Sequence, residues 1–527
     1  MVRIEDFPKE RRTLGRLLSD QAEKLGSKVF LQHEHGSITY AELDSIASRA
    51  ANSLRAAGVA KGDKVAVMLP NCPEYITMQF AVAKAGAVQA PVNTELTPEL
   101  LAFTIDNCDA KVLVVDQAFM PALQPVMERL GKLRHVFVRG RKSGPFHAYE
   151  DLLAADAVHF DSGVAWHEPV AIFYTSGTTG VSKGVVLPHN HHFDFGCTLV
   201  QCARSGPEDV WYVCAPYYHG LAQFMSTVPA MLAGGGVALA ERFSASRFWS
   251  DIRKYRATVS WLVYTMAPFL LKQPERPDDA DHPLRTYYTV GVAASLVEPL
   301  EKRFGVNVIQ MLGSTEQGPV AYTPYDRKKY GAVGIVNTRD FEVKIVDEFD
   351  EELPTGSVGE YVSRSKRPFV RMLEYYKMPE ATAAATRNLW LHSGDAARVD
   401  EEGWIYFEGR LKDSIRRGGE NISAFELEAI AGTYPAIEEC AALAMPSEVG
   451  EDEIKLCIVQ AARQKVDLAA FHAFCKQKMP KYMVPRYLEV VQSIPKTGTG
   501  KVEKVTLQKL GLTPQTWDAV TGDYIKP

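Results

Sequence analysis

Short apolar runs alternate with helical patterns along most of this chain, and that alternation constrains the fold more than any single motif. "KVAVMLP", "AVQAPVN", "KVLVVD" and "HVFVRG" have the length and β-branched content of buried strands. Between them "PEYITMQFAVAKAG", "LLAFTIDN" and a stretch near residues 124–130 carry helical spacing. Residues 39–57 also read as a helix: Thr39 and Glu42 stand three apart as a capping box, and Gly58 can close the end. The rhythm continues through "PVAIFYT", "VWYVCAP", "GGVALAE", "ATVSWLV", "LRTYYTV" and "NVIQMLG". Strands separated by helices pack as right-handed βαβ units, so the expectation is an α/β fold with parallel sheets.

Two changes of texture divide the chain. From about residue 331, "GEYVSRS", "LWLHSGDAARVD" and "WIYFEGR" are short strands joined by turns, as in a small β-barrel or sandwich. After "GRLKD" a helix, two strands, a helix and a strand suggest a small α+β domain. The boundary is placed at 410–413, giving units 1–410 and 411–527; 527 residues exceed what one core serves.

Composition excludes several classes. Net charge is −5, so no basic excess marks a nucleic-acid partner. The N-terminus lacks an apolar signal core, and no run approaches the ~18 apolar residues of a membrane span. The eight cysteines are scattered without a C-x-x-C pair and read as reduced structural thiols of a cytoplasmic enzyme. "HNHH" (His189 to His192), followed by Asp194 and Cys197, matches no zinc spacing and reads as a helix start.

"FYTSGTTGVSKGVVL" is built differently from an ordinary turn. It crowds hydroxyls and glycines around Lys183. Glycine lets backbone N–H groups approach an anion, hydroxyls add donors, and the lysine adds charge, which together suit a polyphosphate. It is not a Walker loop. Ser182 precedes the lysine where that motif has glycine, Gly184 follows where it has a metal-binding hydroxyl, and a strand-like run comes next.

Three later stretches complete a set: "LGSTEQG" with Thr315 and Glu316, "WLHSGDAARVDEEGWIYFEGRLKD" with Asp395 and Arg410, and "PKTGTGKVEK" with Lys501. In this order over nearly the whole chain, the four stretches resemble the adenylate-forming superfamily of acyl-CoA synthetases, luciferases and peptide-synthetase adenylation domains. The resemblance implies two parallel-sheet α/β subdomains plus a small β-barrel, and a mobile α+β C-terminal domain. It implies ATP, Mg²⁺ and CoA as cofactors, and a small carboxylic acid as substrate. Thr175, Ser176, Gly177, Thr178, Thr179 and Lys183 would hold the β- and γ-phosphates. Glu316 would hold Mg²⁺, Thr315 would donate to the α-phosphate, and Asp395 would accept from the ribose hydroxyls. Arg410 would contact ribose or phosphate, Lys501 would bridge the carboxylate and the α-phosphate, and Lys412 would be the hinge.

One position departs from the pattern. Leu312 stands where the family has a tyrosine stacked on adenine, so an apolar face remains without the π-stack. "ERFSASRFWSDIRKYRATVSWL" and "RRGGENISAFELE" look most like crotonobetaine/carnitine-type acyl-CoA ligases. Gly418 and Gly419 would line a pantetheine tunnel, and Arg416 and Arg417 would meet CoA phosphates. The acyl pocket would draw on "APYYHGLAQ", "WLVYTMA" and "TVGVAAS", with His219 at the reacting centre and Tyr217, Tyr218, Phe224, Trp261 and Tyr264 as walls or core. Few cations and several aromatics favour a compact acid: short-chain, aromatic, or carrying a quaternary ammonium held on ring faces. A different acyl acceptor, a direct phosphotransferase and a catalytically silent binding protein remain open. The chain is expected to act as a monomer or homodimer.

Overall fold

The structure, a computed structural model, describes residues 2–141, 144–175, 182–263, 266–290, 292, 296–411, 414–417, 420–446, 452–462, 464–479, 481–496 and 502–525. The expected capping box is present: the Thr39 amide donates to Glu42 Oε2 at 2.7 Å, and the Glu42 amide donates to Thr39 Oγ1 at 3.2 Å. The helix it opens spans Tyr40–Ala56, and Gly58 follows with φ +84°. An eight-stranded sheet has six parallel members in the order His147–Ala148, His135–Arg139, Ala110–Asp116, Lys64–Met68, Val88–Pro91 and Pro169–Thr175. Lys183–Pro188 and the two-residue strand Glu374–Tyr375 continue it antiparallel.

A thirteen-stranded sheet faces it across a layer of helices. Its parallel part runs Asn307–Ser314, Thr286–Val290, Val259–Val263, Val210–Val213, Gly236–Leu239, Val29–His33. In the helix Pro73–Lys84 every residue from Tyr75 onward is buried, and the core around it holds side chains from both sheets, such as Val65 and Val112 from one and Trp211 and Val237 from the other. A helix buried on all sides needs such a layer, and its one buried cation, Lys84, is paired with Asp44 at 2.7 Å.

The three strands expected as a small β-barrel, Trp404–Arg410, Leu391–Val399 and Gly359–Ser365, extend the same sheet with three others, in the order Gly318–Tyr322, Gly334–Val336, Trp404–Arg410, Leu391–Val399, Gly359–Ser365, Phe341–Val346. Laid flat, the last five would separate their ends by about 19 Å. A tight turn forbids that, because the Phe341 amide donates to the Asn337 carbonyl at 2.9 Å and so joins the two end strands directly. The run therefore curls, around Leu312, Val320, Phe341, Ile345, Tyr361 and Ile405.

The C-terminal domain is α+β. Ile437–Pro446, Asp452–Gln460, Tyr487–Val490, Thr516–Asp518 and Asp523–Tyr524 form one sheet, with helices Ala424–Ala431 and Leu468–Lys478 packed on it. Ile415 and Ile422, from the hairpin Ser414–Arg417 and Glu420–Ser423, already belong to its core. It meets the larger domain through Phe407 and Phe425, 5.5 Å apart edge to face, and through Lys272 Nζ, which donates to the Glu438 carbonyl at 2.8 Å. All eight cysteines are free and buried. Among the described residues no helix is long and apolar enough to cross a membrane.

Candidate active site

The hydroxyl- and glycine-rich loop is bracketed by a β-hairpin. Thr175 ends one strand, Lys183 starts the next, and the two are paired, with Thr175 Oγ1 donating to the Lys183 carbonyl at 3.4 Å. The strand after Lys183 is the feature that separates this loop from a Walker loop, whose lysine opens a helix. Ser176, Gly177, Thr178 and Thr179 lie outside the described residues.

Thr315 and Glu316 occupy a tight turn between Asn307–Ser314 and Gly318–Tyr322, where Ser314 pairs with Gly318. Two glycines make it possible. Gly318 has φ +79°, the left-handed value that closes three-residue hairpins, and a Cβ on Gly313 would strike the Gly318 carbonyl oxygen at 2.0 Å. The Glu316 carbonyl accepts the Met372 amide at 2.7 Å, which ties the turn to the segment entering Glu374–Tyr375. Tyr375 then joins the two motifs. Its hydroxyl donates to Glu316 Oε1 at 2.9 Å, and Lys183 Nζ lies 4.7 Å from its ring centroid. Burial first, and then the Glu316 carboxylate, push the Tyr375 phenol far above its ordinary value, so it stays a donor.

The third motif connects through Tyr361. The Tyr361 hydroxyl accepts Gln317 Nε2 at 2.7 Å, and its carbonyl accepts Ser393 Oγ at 2.6 Å. Ser393 Oγ in turn accepts the Asp395 amide at 3.0 Å. Asp395 and Arg410 are cross-strand partners, with Arg410 Nε 2.8 Å from Asp395 Oδ1. The arginine is one-third exposed and the aspartate nearly buried, so the pair presents its cationic side outward. Lys183, Tyr375, Glu316, Gln317, Tyr361, Ser393, Asp395 and Arg410 thus form one connected line. Leu312 is 6% exposed and packs in the barrel core beside Val320 and Tyr361.

His219 precedes the short helix Gly220–Ala222, and burial lowers its imidazole to about 4, which keeps it neutral. A side chain on Gly220 would strike the Phe224 ring at 2.6 Å, so this glycine lets the segment close on Phe224, which packs on Phe173 of the hairpin. Of the expected pocket aromatics, several are core. The Tyr217 hydroxyl is held by Gln79 and Thr227, and Trp261 Nε1 donates to Ser226 at 2.7 Å; both rings are fully buried. Tyr264, Gly418, Gly419, Lys412 and Lys501 lie outside the described residues. Arg417 is engaged within the C-terminal domain, with Glu453 at 3.0 Å and the Val484 carbonyl at 2.7 Å.

Tyr375 and Tyr361 escaped the reading of the sequence. The doublet Tyr375–Tyr376 held a usable signal, since successive strand residues face opposite ways. Tyr375 turns to Glu316, and Tyr376 turns to Asp109 at 2.7 Å.

The fold and the linked motifs place this chain in a family of known enzymes. The chain belongs to the adenylate-forming, AMP-binding enzyme family, whose main description, AMP-binding enzyme, matches residues 18–376, and whose C-terminal domain matches 426–501. The crotonobetaine/carnitine–CoA ligase of Proteus mirabilis is 33% identical over 516 residues, covering 94% of this chain and 99% of that protein. Its counterpart in Citrobacter koseri is 33% identical over 512 residues, covering 94% and 98%. ATP-bound MatB from Rhodopseudomonas palustris superposes with a TM-score of 0.84 at 26% identity, covering 94% of this chain and 99% of that one. The anthranilate CoA ligase AuaEII in complex with anthranoyl-AMP has a TM-score of 0.88 over 97% of this chain and 99% of that one, and at 24% identity supports the fold alone.

Proposed function

We propose that this chain is an AMP-forming acyl-CoA ligase acting on a small carboxylic acid. The observation that carries the reading is the line from Lys183 through Tyr375 and Glu316 to Asp395 and Arg410, which joins the hydroxyl- and glycine-rich loop to a carboxylate turn and an Asp–Arg cross-strand ion pair. The CoA-ligase names of the curated relatives support it.

In the first step a carboxylate oxygen of the acid attacks the α-phosphorus of ATP, and the bond to the β-phosphate breaks to release pyrophosphate. In the second, the CoA sulfur attacks the acyl carbon, AMP departs with its electron pair, and the thiol proton passes to solvent. Both are positioning and charge-stabilisation problems. Thr175, Ser176, Gly177, Thr178, Thr179 and Lys183 hold the β- and γ-phosphates. Thr315 donates to the α-phosphate, Asp395 and Arg410 hold the ribose edge, and Lys501 meets the charge that builds between acid and α-phosphate. His219, neutral, lies beside the acid. Leu312, expected to face adenine, is instead packed into the barrel core, so it backs that side without offering a surface to the base. Glu316 fits Mg²⁺ as a hard oxygen donor anchored by Tyr375, and the ion would neutralise phosphate charge there. Residues 1–410 and 411–527 act as two units hinged at Lys412, with Gly418 and Gly419 beside the pantetheine arm. The eight unpaired cysteines fit a reducing compartment, the cytoplasm.

The test is a panel of short-chain, aromatic, betaine-like and medium-chain acids with ATP, Mg²⁺ and CoA. AMP, pyrophosphate and a thioester in equal amounts are expected. ADP as product would mean a phosphotransferase, acyl-AMP without thioester another acceptor, and no exchange with any acid a binding protein.

A further inference from the structure

The helix His189–Ala203 carries three histidines within its first four residues, and they are not equivalent. His189 Nδ1 accepts the Leu14 amide at 3.2 Å and so ties the N-terminal helix down. His191 and His192 are each 0% exposed, and none of their ring nitrogens has a side-chain hydrogen-bond partner among the described residues. Buried polar atoms are nearly always paired, so an imidazole left with two open nitrogens calls for a ligand.

Its direction is fixed by the helix's adjoining face. Arg339 holds Thr198 Oγ1 and Gln201 Oε1 at 2.8 Å each and stands 4.0 Å from Asp194. With that face pinned, His191, His192 and Phe195 surround Phe224, their rings 5.1, 4.6 and 5.4 Å from it, and of the two histidines His191 is the one that borders Gly318. Phe224 lies in the wide π-turn Gln223–Thr227 just after His219, and such turns occur frequently at functional sites. On the other side is Gly318. A side chain there would stand 3.6 Å from His191 Nε2 and 3.4 Å from the Phe195 ring, so the glycine keeps a side chain from packing against Nε2. Gly318 is two residues from Glu316, a Cα separation of at most about 7 Å.

We propose that His191 reads the acyl tail: its Nε2 hydrogen-bonds a neutral polar substituent, such as a hydroxyl, carbonyl or arylamino group, on a compact acid. This deepens, and rests on, the acid-activating function proposed above. Burial holds the imidazole well below its ordinary value. A neutral ring offers one donor and one acceptor but no charge, which favours a hydroxy, oxo or arylamino acid over a dicarboxylate.

The test compares kcat/KM, read as pyrophosphate release, for the three hydroxybenzoates against the matching methylbenzoates, and for 3- and 4-hydroxy short-chain acids against their methyl isosteres. At least one polar acid is expected to exceed its isostere by roughly tenfold or more, since a site built around a hydrogen bond rejects the analogue that lacks it. In His191→Phe that ratio should fall to within about twofold of one. If His191→Phe does not fold, the same ratio in His191→Leu decides. A ratio unchanged in the variant, or no discrimination in any pair, overturns the role of His191 while leaving the ligase reading intact. Absence of pyrophosphate release with every acid removes the ligase reading itself, and the inference with it.

Discussion

Tyr375 and Glu316 come from different sheets, and the tyrosine hydroxyl donates to Glu316 Oε1 at 2.9 Å. The same ring lies under Lys183, so one side chain sets the spacing between the cation proposed for the phosphates and the carboxylate proposed for the metal. Strand pairing holds it there, since Tyr375 is the register partner of Val185, two residues past Lys183.

Tyr375→Phe keeps the ring and the cation–π contact but removes the hydrogen bond. A bond to a charged group contributes about 1.5–3 kcal/mol, so ATP–pyrophosphate exchange should fall roughly tenfold or more while the melting temperature changes little. Undiminished exchange would show that Glu316 keeps its place without the hydroxyl.

Lys501 is assigned to the first half-reaction alone. Lys501→Ala should slow acyl-AMP formation by roughly 10²-fold, the usual cost of losing a donor aimed at developing charge. Thioester formation from supplied acyl-AMP should persist. Equal losses in both half-reactions would place the lysine in a general structural role.

Lys412 lies two residues beyond Arg410, between the last strand of the large sheet and a hairpin that belongs to the C-terminal core. Proline there fixes φ near about −65°. Lys412→Pro should still form acyl-adenylate yet turn it over slowly to the thioester; unaltered overall turnover would move the hinge elsewhere.

Asp194 supplies a pH dependence of stability. Burial, and then the neighbouring Asp340 charge, push its carboxyl up from 3.8 to about 7, against the opposing pull of Arg339 and Arg367; Glu5 adds to the rise. A raised folded-state value means that the folded chain holds the proton more tightly than the unfolded one. Its contribution is fully present below about pH 4 and is lost as pH rises through about 7. Asp194→Asn removes that titration, so melting temperatures at pH 5 and pH 8 should differ less in the variant than in the wild type. Equal pH dependence in both would locate the titration elsewhere.

Local signals carried much of the architecture. Thr39 and Glu42 declared the helix start, and "KVAVMLP" and "GVVLPH" declared strands, because period and capping act over a few residues. The curl of the antiparallel strands was legible only as texture, because it depends on a turn at Asn337 that brings together two strands at opposite ends of the pairing order. Tyr375 was hidden for a related reason. Its partner Glu316 is 59 residues away, and a tyrosine in a two-residue strand carries no periodic signal. The histidine tract was legible as a helix start, but its division into a bonded His189 and the two unbonded rings of His191 and His192 required the surroundings of each ring.

The buried cysteines give the chain a built-in clock for opening. Five sit in the larger domain, at Cys72, Cys108, Cys197, Cys202 and Cys214, and three in the smaller, at Cys440, Cys457 and Cys475. Burial raises their thiols, Cys108 and Cys475 to about 12 and Cys457 to about 11, so the folded chain offers almost no thiolate at neutral pH. An alkylating reagent must therefore wait for each core to breathe. The order in which the two sets acquire mass would time the opening of one domain against the other, with no label added to the protein.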